Sequence, residues 1–323
     1  MRNLCIAAVM ALIGGFGDLV AAESAFPNKP IRYIVATGPG GASDLIGRSV
    51  APSLSEILGV QIVVDNRAGA GNTVGAEIAA RAAPDGYTLL SCNIASLAVG
   101  PAIYRKLSYN AERDFAVLGL IASNPNVFSV NPSVQAATLP QLIALAKANP
   151  GKLNYASGGV GTSPQLSMEL FRMQAGIDMV HVPYKGVGPA QIDLMAGRVE
   201  AMTSTVPSVL FLARSGKVRA LAVTSKQRDA QLPDVPTVAE SGIADFEVVS
   251  WQALCTNAGV PSRVLRRLRT ALATALAQAD TQKRITDQGF QLHVLPADKA
   301  AQFVTAERVR WAKVVKDLAI PQQ

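Results

Sequence analysis

The sequence repeats one local arrangement, in which a short apolar run is followed by a glycine-rich turn and then by a helical pattern. IRYIVAT (31–37) precedes GPGGAS, QIVVDN (61–66) precedes AGAGNTVG, and LNYAS (153–157) precedes GGVGTSPQ. An order of strand, turn, helix and strand predicts parallel strands joined by right-handed crossovers. The chain is therefore expected to fold as an α/β protein.

The arrangement occurs in two cycles, which indicates two α/β units within the 323 residues. Further strands are predicted at 126–131, 179–185, 199–205, 218–225 and 246–257. Helical periodicity is predicted at 262–278 and at 297–318 in the C-terminal segment. We find no linker rich in proline, serine or charge, so we expect the chain to cross between the units within strands. The predicted division is a discontinuous first domain, 26–124 with 248–323, and a second domain, 125–247.

The N-terminal segment resembles an export signal. Arg2 precedes a mostly apolar run from Cys5 to Val20, and Val20-Ala21-Ala22 fits the small-residue rule for signal peptidase. A membrane anchor is the alternative, but Asp18 and a run of only about 16 residues fall short of the ~20 that a span needs. We therefore expect residues 1–22 to be a signal peptide, cleaved after Ala22, and the mature protein to be periplasmic.

Composition excludes several function classes. Histidine occurs only twice, as His181 and His293, and no CxxC motif is present, which argues against a zinc site. Aromatic residues make up 5% of the chain and the net charge of +7 is mostly scattered, so nucleic acid is not an expected partner. Removal of the signal peptide would leave Cys92 and Cys255, which either form one disulfide or remain unpaired.

Catalytic motifs are missing from the sequence. GxSxG and GxxxxGK[ST] do not occur, and GPGGAS departs from the GxGxxG dinucleotide fingerprint, although Asp65 lies at about the expected distance. His181 lies in an apolar strand pattern, which is more typical of a core or rim residue than of a general base. We therefore predict no catalytic residues and no metal site.

The glycine-rich turns predict binding at the carboxyl ends of strands, where ligands of open α/β sheets lie. Gly40 and Gly41 precede a helix that begins near Ser43, and its first N–H groups suit a carboxylate. Asp44 either caps that helix or accepts hydrogen bonds from a ligand. The turn 157–163 repeats the device in the second unit. For each turn, a tight strand-to-helix connection without ligand is the alternative.

Several phrases together resemble one known family. KPIRYIV with GPGGASD, DNRAGAGNTVGAEIAARAAPDGYTLL, LNYASGGVGTSPQLSMELF, VPYKGVGPAQIDLMAGRVE and KVRALAVTSKQRDAQLPDVPTVAESG occur in the family's order, between about Pro27 and Lys316. The chain resembles the Bug (TctC) family of extracytoplasmic solute-binding proteins of tripartite tricarboxylate transporters.

The resemblance implies a fold and a set of partners. It implies a periplasmic-binding-protein-like (type II) two-domain clamshell, each domain a mainly parallel sheet flanked by helices. It also implies a small organic acid as ligand, large and small membrane permease subunits as partners, a monomer, and no cofactor. Two alternative functions are a ligand-loaded sensor for a membrane histidine kinase and an exported enzyme acting on organic acids.

The resemblance and the turns together give one candidate ligand-binding set. Its members are Thr37, Gly40, Gly41, Asp44, Asn93, Ser157, Gly161, Thr162, Ser163 and Ser204. Lys185 and Arg48 are candidates for charges at the rim of the cleft.

Three departures from the family pattern concern the cleft. Thr37-Gly38 replaces Phe-Pro, Gln165 replaces His, and 203–205, Thr-Ser-Thr, replaces Phe-Asp-Asn. The loss of an acid and the gain of hydroxyls favour a more polar or more anionic ligand.

Overall fold

The computed structural model describes residues 26–317. The predicted signal peptide lies outside these residues. Within them, no helix is both long enough and apolar enough to cross a lipid bilayer.

Ten strands and ten α-helices alternate along the described chain. The strands are β1 (Ile31–Val35), β2 (Ile62–Asn66), β3 (Thr88–Asn93), β4 (Phe115–Val130), β5 (Asn154–Ser157), β6 (Val180–Pro183), β7 (Ala201–Thr205), β8 (Arg219–Val223), β9 (Val249–Asn257) and β10 (Gln291–Pro296). The helices are α1 (Ala42–Leu58), α2 (Thr73–Ala80), α3 (Gly100–Ile103), α4 (Leu139–Ala148), α5 (Ser163–Ala175), α6 (Val187–Met195), α7 (Val206–Arg214), α8 (Ser262–Ala277), α9 (Ala279–Asp287) and α10 (Ala297–Asp317). A 3₁₀ turn (Ala70–Asn72) precedes α2, and a π-helical turn (Ala95–Val99) follows β3.

The strands run in the order β2-β1-β3-β9-β4-β7-β5-β6, with β8 and β10 also paired to β4. Pairing is parallel between β1 and its neighbours β2 and β3, and between β5 and its neighbours β6 and β7. Every pair that includes β4 or β9 is antiparallel. The α/β class is confirmed, while the sheet is mixed because the two crossing strands oppose the rest.

Strand β4 joins two lobes. Its N-terminal part pairs with β9 as far as Pro125, and its C-terminal part pairs with β7 from Asn126 onward. We call the sheet β2-β1-β3-β9 with the first part of β4 and β10 the first lobe, and the sheet around β5, β6, β7 and β8 the second lobe. The division into domains at 124/125 and 247/248 stays a prediction.

Two parts of the sequence were interpreted differently from what the structure shows. β4 begins at Phe115, although only 126–131 was predicted as strand, because the Asn-Pro-Asn at 124–126 has the composition of a turn. Proline lacks an N–H group and is disfavoured within a sheet, but Pro125 lies where β4 changes its partner. Helix α9 and strand β10 were not predicted.

The C-terminal helices pack against elements of the first lobe. Helix α8 packs on α1 and β4, and α10 packs on β4. Trp251 of β9 and Trp311 of α10 are both buried, and both indole N–H groups donate to Glu307 Oε2, at 3.1 and 3.2 Å.

Cys92 and Cys255, the two cysteines among the described residues, form a disulfide between β3 and β9. Cys92 and Cys255 are fully buried, and their Cα atoms are 6.0 Å apart. Cys92 directly precedes Asn93, one of the candidate binding residues. The bond therefore links the strand that carries Asn93 to the crossing strand β9.

Candidate ligand-binding site

A cavity of about 410 Å³ lies between the two lobes. The first lobe contributes the turn between β1 and α1, the turn before α2 and the end of β3. The second lobe contributes the turns that precede α5, α6 and α7, and β9 adds Ser250 and Gln252. Each wall is thus built at the carboxyl ends of strands, where the sequence placed the ligand.

Five helices begin at the wall of this cavity. Their N-terminal residues or caps line it: Ala42 for α1, Asn72 for α2, Ser163 for α5, Val187 for α6 and Thr205 for α7. A helix N-terminus carries unpaired N–H groups and a partial positive charge. Their convergence makes the interior favourable for an anion.

The turn before α1 is held by a side chain from the first turn of the helix. Gly40 has φ +76, and its N–H donates to Asp44 Oδ2 at 3.0 Å. Asp44 is buried, and its Oδ1 also accepts from Arg48 Nε (2.9 Å) and Asn66 Nδ2 (3.0 Å). The backbone N–H groups of Ala42 and Ser43 have no acceptor in the described part of the chain. Both residues line the cavity.

The turn before α5 uses the same device. Gly161 has φ +78, and its N–H donates to Gln165 Oε1 at 3.2 Å, again a side chain four residues further on. Thr162 Oγ1 donates to Gly159 O at 2.7 Å, which closes the turn. Hydrogen bonds inside the turn therefore fix its conformation. Thr162 and Ser163 line the cavity.

His181 lies behind this turn and not on the cavity wall. Its Nε2 is 2.7 Å from Ser157 Oγ, and its ring stacks on Tyr155 with ring centroids 4.7 Å apart. Burial lowers the pKa of His181, since the charged imidazolium is poorly solvated there. The core or rim position expected from the sequence is what the structure shows.

A buried polar network forms the floor of the cavity in the first lobe. Ser43 Oγ donates to Gln252 Oε1 (2.8 Å) and accepts from Asn93 Nδ2 (2.9 Å). Asn93 Oδ1 accepts from Ser96 N at 3.0 Å, so the π-helical turn after β3 orients this amide. Asn93 and Gln252 are 3% and 2% exposed. The network fixes both side chains against the N-terminus of α1.

Three hydroxyl groups at the cavity have no partner among the described residues. They belong to Thr37 at the end of β1 and to Thr203 and Ser204 of β7, and all three oxygen atoms are buried. Buried polar groups in native structures nearly always have a partner, including water or ligand. Other hydroxyls at the wall are satisfied, such as those of Thr205 and Ser208, which bond to each other at 2.7 Å.

Among the described residues that line the cavity, Lys185 is the only one with a charged side chain. It lies in the turn before α6 and is exposed, and no acidic group of the described chain pairs with it. Within residues 26–317, no aspartate or glutamate lines the cavity, and the nearby Asp44 is turned to Gly40 and Arg48. The charge and the helix N-termini at the cavity wall therefore favour an anionic ligand over a cationic one.

The lobes touch each other across the mouth of the cavity. Tyr104 Oη of the first lobe donates to Val160 O of the second at 3.3 Å. A Cβ atom on Gly71 would lie 2.2 Å from the same Val160 O, and one on Gly186 would lie 3.8 Å from Gly38 Cα. The two lobes are thus in contact in this structure, and glycines allow backbone to approach backbone there.

The model of the tripartite tricarboxylate transporter family receptor matches residues 46–320. BugT of Bordetella pertussis is 35% identical over 317 residues, which is 98% of this chain and 97% of BugT. The chain belongs to the tripartite tricarboxylate transporter receptor family.

Solved structures of receptor-family proteins have the same fold. The periplasmic binding protein BugD has a TM-score of 0.89 at 31% identity, over 92% of this chain and 100% of its own. Rpa4515 of R. palustris, solved with adipate, gives the same identity, TM-score and coverage. MatC of Rhodopseudomonas palustris, with bound malate, has a TM-score of 0.83 at 30% identity, over 90% of this chain and 100% of its own. The two-domain fold and the family resemblance are confirmed, and these proteins are binding proteins rather than enzymes.

The structure brings together six of the ten candidate binding residues of this receptor-family chain. Those that line the cavity are Thr37, Gly41, Asn93, Thr162, Ser163 and Ser204. The other four, Gly40, Asp44, Ser157 and Gly161, lie behind the wall and hold the turns through the bonds described above. Of the two rim candidates, Lys185 lines the cavity and Arg48 does not.

Sequence reasoning missed residues that come from other parts of the chain. Gln252 and Ser250 of β9 line the cavity, and so do Asn72 and Tyr104. The first two could have been found, because Ser250 and Gln252 are polar at alternate positions within the apolar first part of β9. Within the described residues, no group of three or more His, Cys, Asp or Glu is arranged to hold a metal ion.

Proposed function

We propose that this chain is a periplasmic solute-binding protein that captures a small organic acid between its lobes. We further propose that it is exported by the N-terminal signal and acts as a monomer. In this proposal it delivers the ligand to the large and small permease subunits of a tripartite tricarboxylate-type transporter. Support comes from the receptor family and from the adipate and malate that two relatives hold.

The observation that carries the proposal is the electrostatic character of the cavity. Five helix N-termini and Lys185 line it, and no acidic residue of the described chain does. Each terminus stabilises an anion by about 0.3–1 kcal/mol at an exposed site, and by up to ~2 kcal/mol where it is partly buried. A carboxylate is the anion that the many N–H donors and the single lysine suit, because no arginine is present to grip a phosphate bidentately.

Closure couples binding to recognition by the transporter. A ligand that contacts Ser43 of one lobe and Ser163 of the other favours the closed form, since both sets of contacts exist only there. The lobes can pivot where β4 changes partner near Pro125 and where the chain returns into β9 at Val249. We propose that these two crossings form the hinge and that the permease reads the closed form.

Calorimetric titration tests the proposal. The mature protein is unfolded and refolded to remove any ligand carried over from expression, and is then titrated with malate, adipate and adipamide, the neutral diamide of adipate. We expect binding of at least one dicarboxylate, none of the diamide, and affinity that falls as salt rises. Equal binding of the diamide and adipate would contradict the anion site.

Substitution of Lys185 tests whether its charge stabilises the bound dicarboxylate. Lys185→Met should weaken dicarboxylate binding by roughly threefold or more, because an exposed charge next to the ligand contributes modestly. Lys152→Met is the matched control, since Lys152 is also exposed and lies outside the cavity lining. Equal effects of the two substitutions would show that Lys185 acts only through net charge.

A further inference from the structure

The three unpartnered hydroxyls narrow the chemistry of the ligand. Thr203 and Ser204 are 0% and 1% exposed, so bulk water does not solvate them in the closed form. The Thr37 hydroxyl is buried in the opposite lobe. All three residues line the cavity, Thr37 from the first lobe and Thr203 and Ser204 from the end of β7 in the second.

An alkyl chain between two carboxylates would leave these hydroxyls unpaired. A buried hydroxyl without a partner costs free energy, and sites built to bond a substrate hydroxyl discriminate strongly against the analogue that lacks it. A ligand chain that carries hydroxyl groups can donate to and accept from Thr37, Thr203 and Ser204. The cavity therefore favours a hydroxylated chain over a polymethylene chain.

The same lining disfavours an amino acid. A buried ammonium group is best stabilised by a carboxylate, and none of the described residues that line the cavity is acidic. The one carboxylate close by, that of Asp44, already accepts from Gly40 N, Arg48 and Asn66. The positive helix termini oppose a second positive charge in the ligand.

We propose that the ligand is a small carboxylate with hydroxyl groups along its chain, of the aldarate kind, and that Thr37, Thr203 and Ser204 read those hydroxyls. This inference rests on the proposed function, because it assumes that the cavity binds an organic acid. It goes further by naming the substrate class and the side chains that select it.

The probes are adipate and galactarate, which have the same six carbons and two carboxylates and differ by four hydroxyl groups. We expect galactarate to bind the refolded protein at least about tenfold more tightly than adipate, since each added hydrogen bond contributes modestly and several are gained. Glutamate should bind more weakly than either. Equal affinity for adipate and galactarate, or tighter adipate binding, would overturn the inference while leaving the carboxylate receptor intact.

Substitutions locate the selectivity. Thr203→Val and Ser204→Ala should each reduce the ratio of galactarate to adipate affinity by about threefold or more, mainly by weakening galactarate. Ser129→Ala is the matched control, because Ser129 is also buried with an unpartnered hydroxyl but lies outside the cavity lining. An unchanged ratio in both cavity variants would overturn the assignment. Failure of every acid to bind would instead refute the proposed function itself.

Discussion

Replacement of Gly71 by alanine should hold the two lobes apart. Gly71 lies in the 3₁₀ turn of the first lobe, and an added Cβ would lie 2.2 Å from Val160 O of the second lobe and 3.0 Å from Tyr104 Oη. Because non-bonded carbon contacts are comfortable only at about 3.5 Å, the lobes must separate by roughly 1 Å at this point. Val160 O is a backbone atom, so it cannot avoid the added Cβ by a change of side-chain rotamer.

Gly71→Ala has two energetic costs, backbone strain at residue 71 and the clash with Val160 O, and a control substitution can separate them. Gly71 has φ +57, a conformation that costs an alanine about 1–2 kcal/mol whatever surrounds it. Gly176, which ends α5, has φ +60 with nothing within 4 Å of its added Cβ. Gly176→Ala therefore carries the same backbone strain without the clash, and the difference between the variants measures closure.

Affinity is the first readout. If the clash makes the closed form tenfold less accessible, the apparent Kd rises tenfold, because only the closed form makes both sets of contacts. Titration with the best-binding dicarboxylate should show this loss in Gly71→Ala and near wild-type affinity in Gly176→Ala. Small-angle scattering at saturating ligand should give a larger radius of gyration for Gly71→Ala. Equal affinities for the two variants would refute closure through the Gly71–Val160 contact.

Two further predictions concern stability. Burial lowers the pKa of His181, so the unfolded chain binds the proton more readily and the free energy of unfolding should fall as the pH drops below the ordinary histidine range near 6.5. His181→Gln should flatten this loss in urea titrations at pH 5 and 7. Parallel pH profiles of the wild type and His181→Gln would contradict the argument. Removal of the disulfide by the double substitution Cys92→Ala with Cys255→Ala should lower the free energy of unfolding by about 2–4 kcal/mol. Urea unfolding without reductant measures this loss. A midpoint of the wild type that does not shift when reductant is added would argue against the bond.

The fold was predictable where the local signals and the tertiary structure agree. Each glycine-rich turn lies at a strand end and leads into a helix, as the periodicity indicates. β4 is the exception, because its pairing partner β9 lies more than a hundred residues away and overrides the turn signal of Asn124-Pro125-Asn126. A local sequence pattern cannot show that Pro125 lies where β4 stops pairing with β9 and begins pairing with β7.

The site was predictable as a location, and only partly as a set of contacts. The glycine spacing predicts the turns at 37–44 and 157–163 as parts of the site. The Gly40 and Gly161 N–H groups, however, donate to side chains of their own turns and not to a ligand. Side chains four residues further on take those bonds, which a sequence pattern does not show. Gln252 was missed because its position at the cavity depends on how β9 crosses the sheet.

The two lobes contribute unequally to the positive potential of the cavity, although their turns are built alike. In α1 the side chain that holds the turn is Asp44, whose negative charge opposes a ligand anion and is partly offset by Arg48 at 2.9 Å. In α5 the corresponding side chain is the neutral Gln165, so the N-terminus keeps its full partial charge. Lys185 belongs to the same lobe. The second lobe is therefore the more positive wall, and the first lobe contributes mainly hydrogen-bonding groups, Asn93 and Gln252 among them.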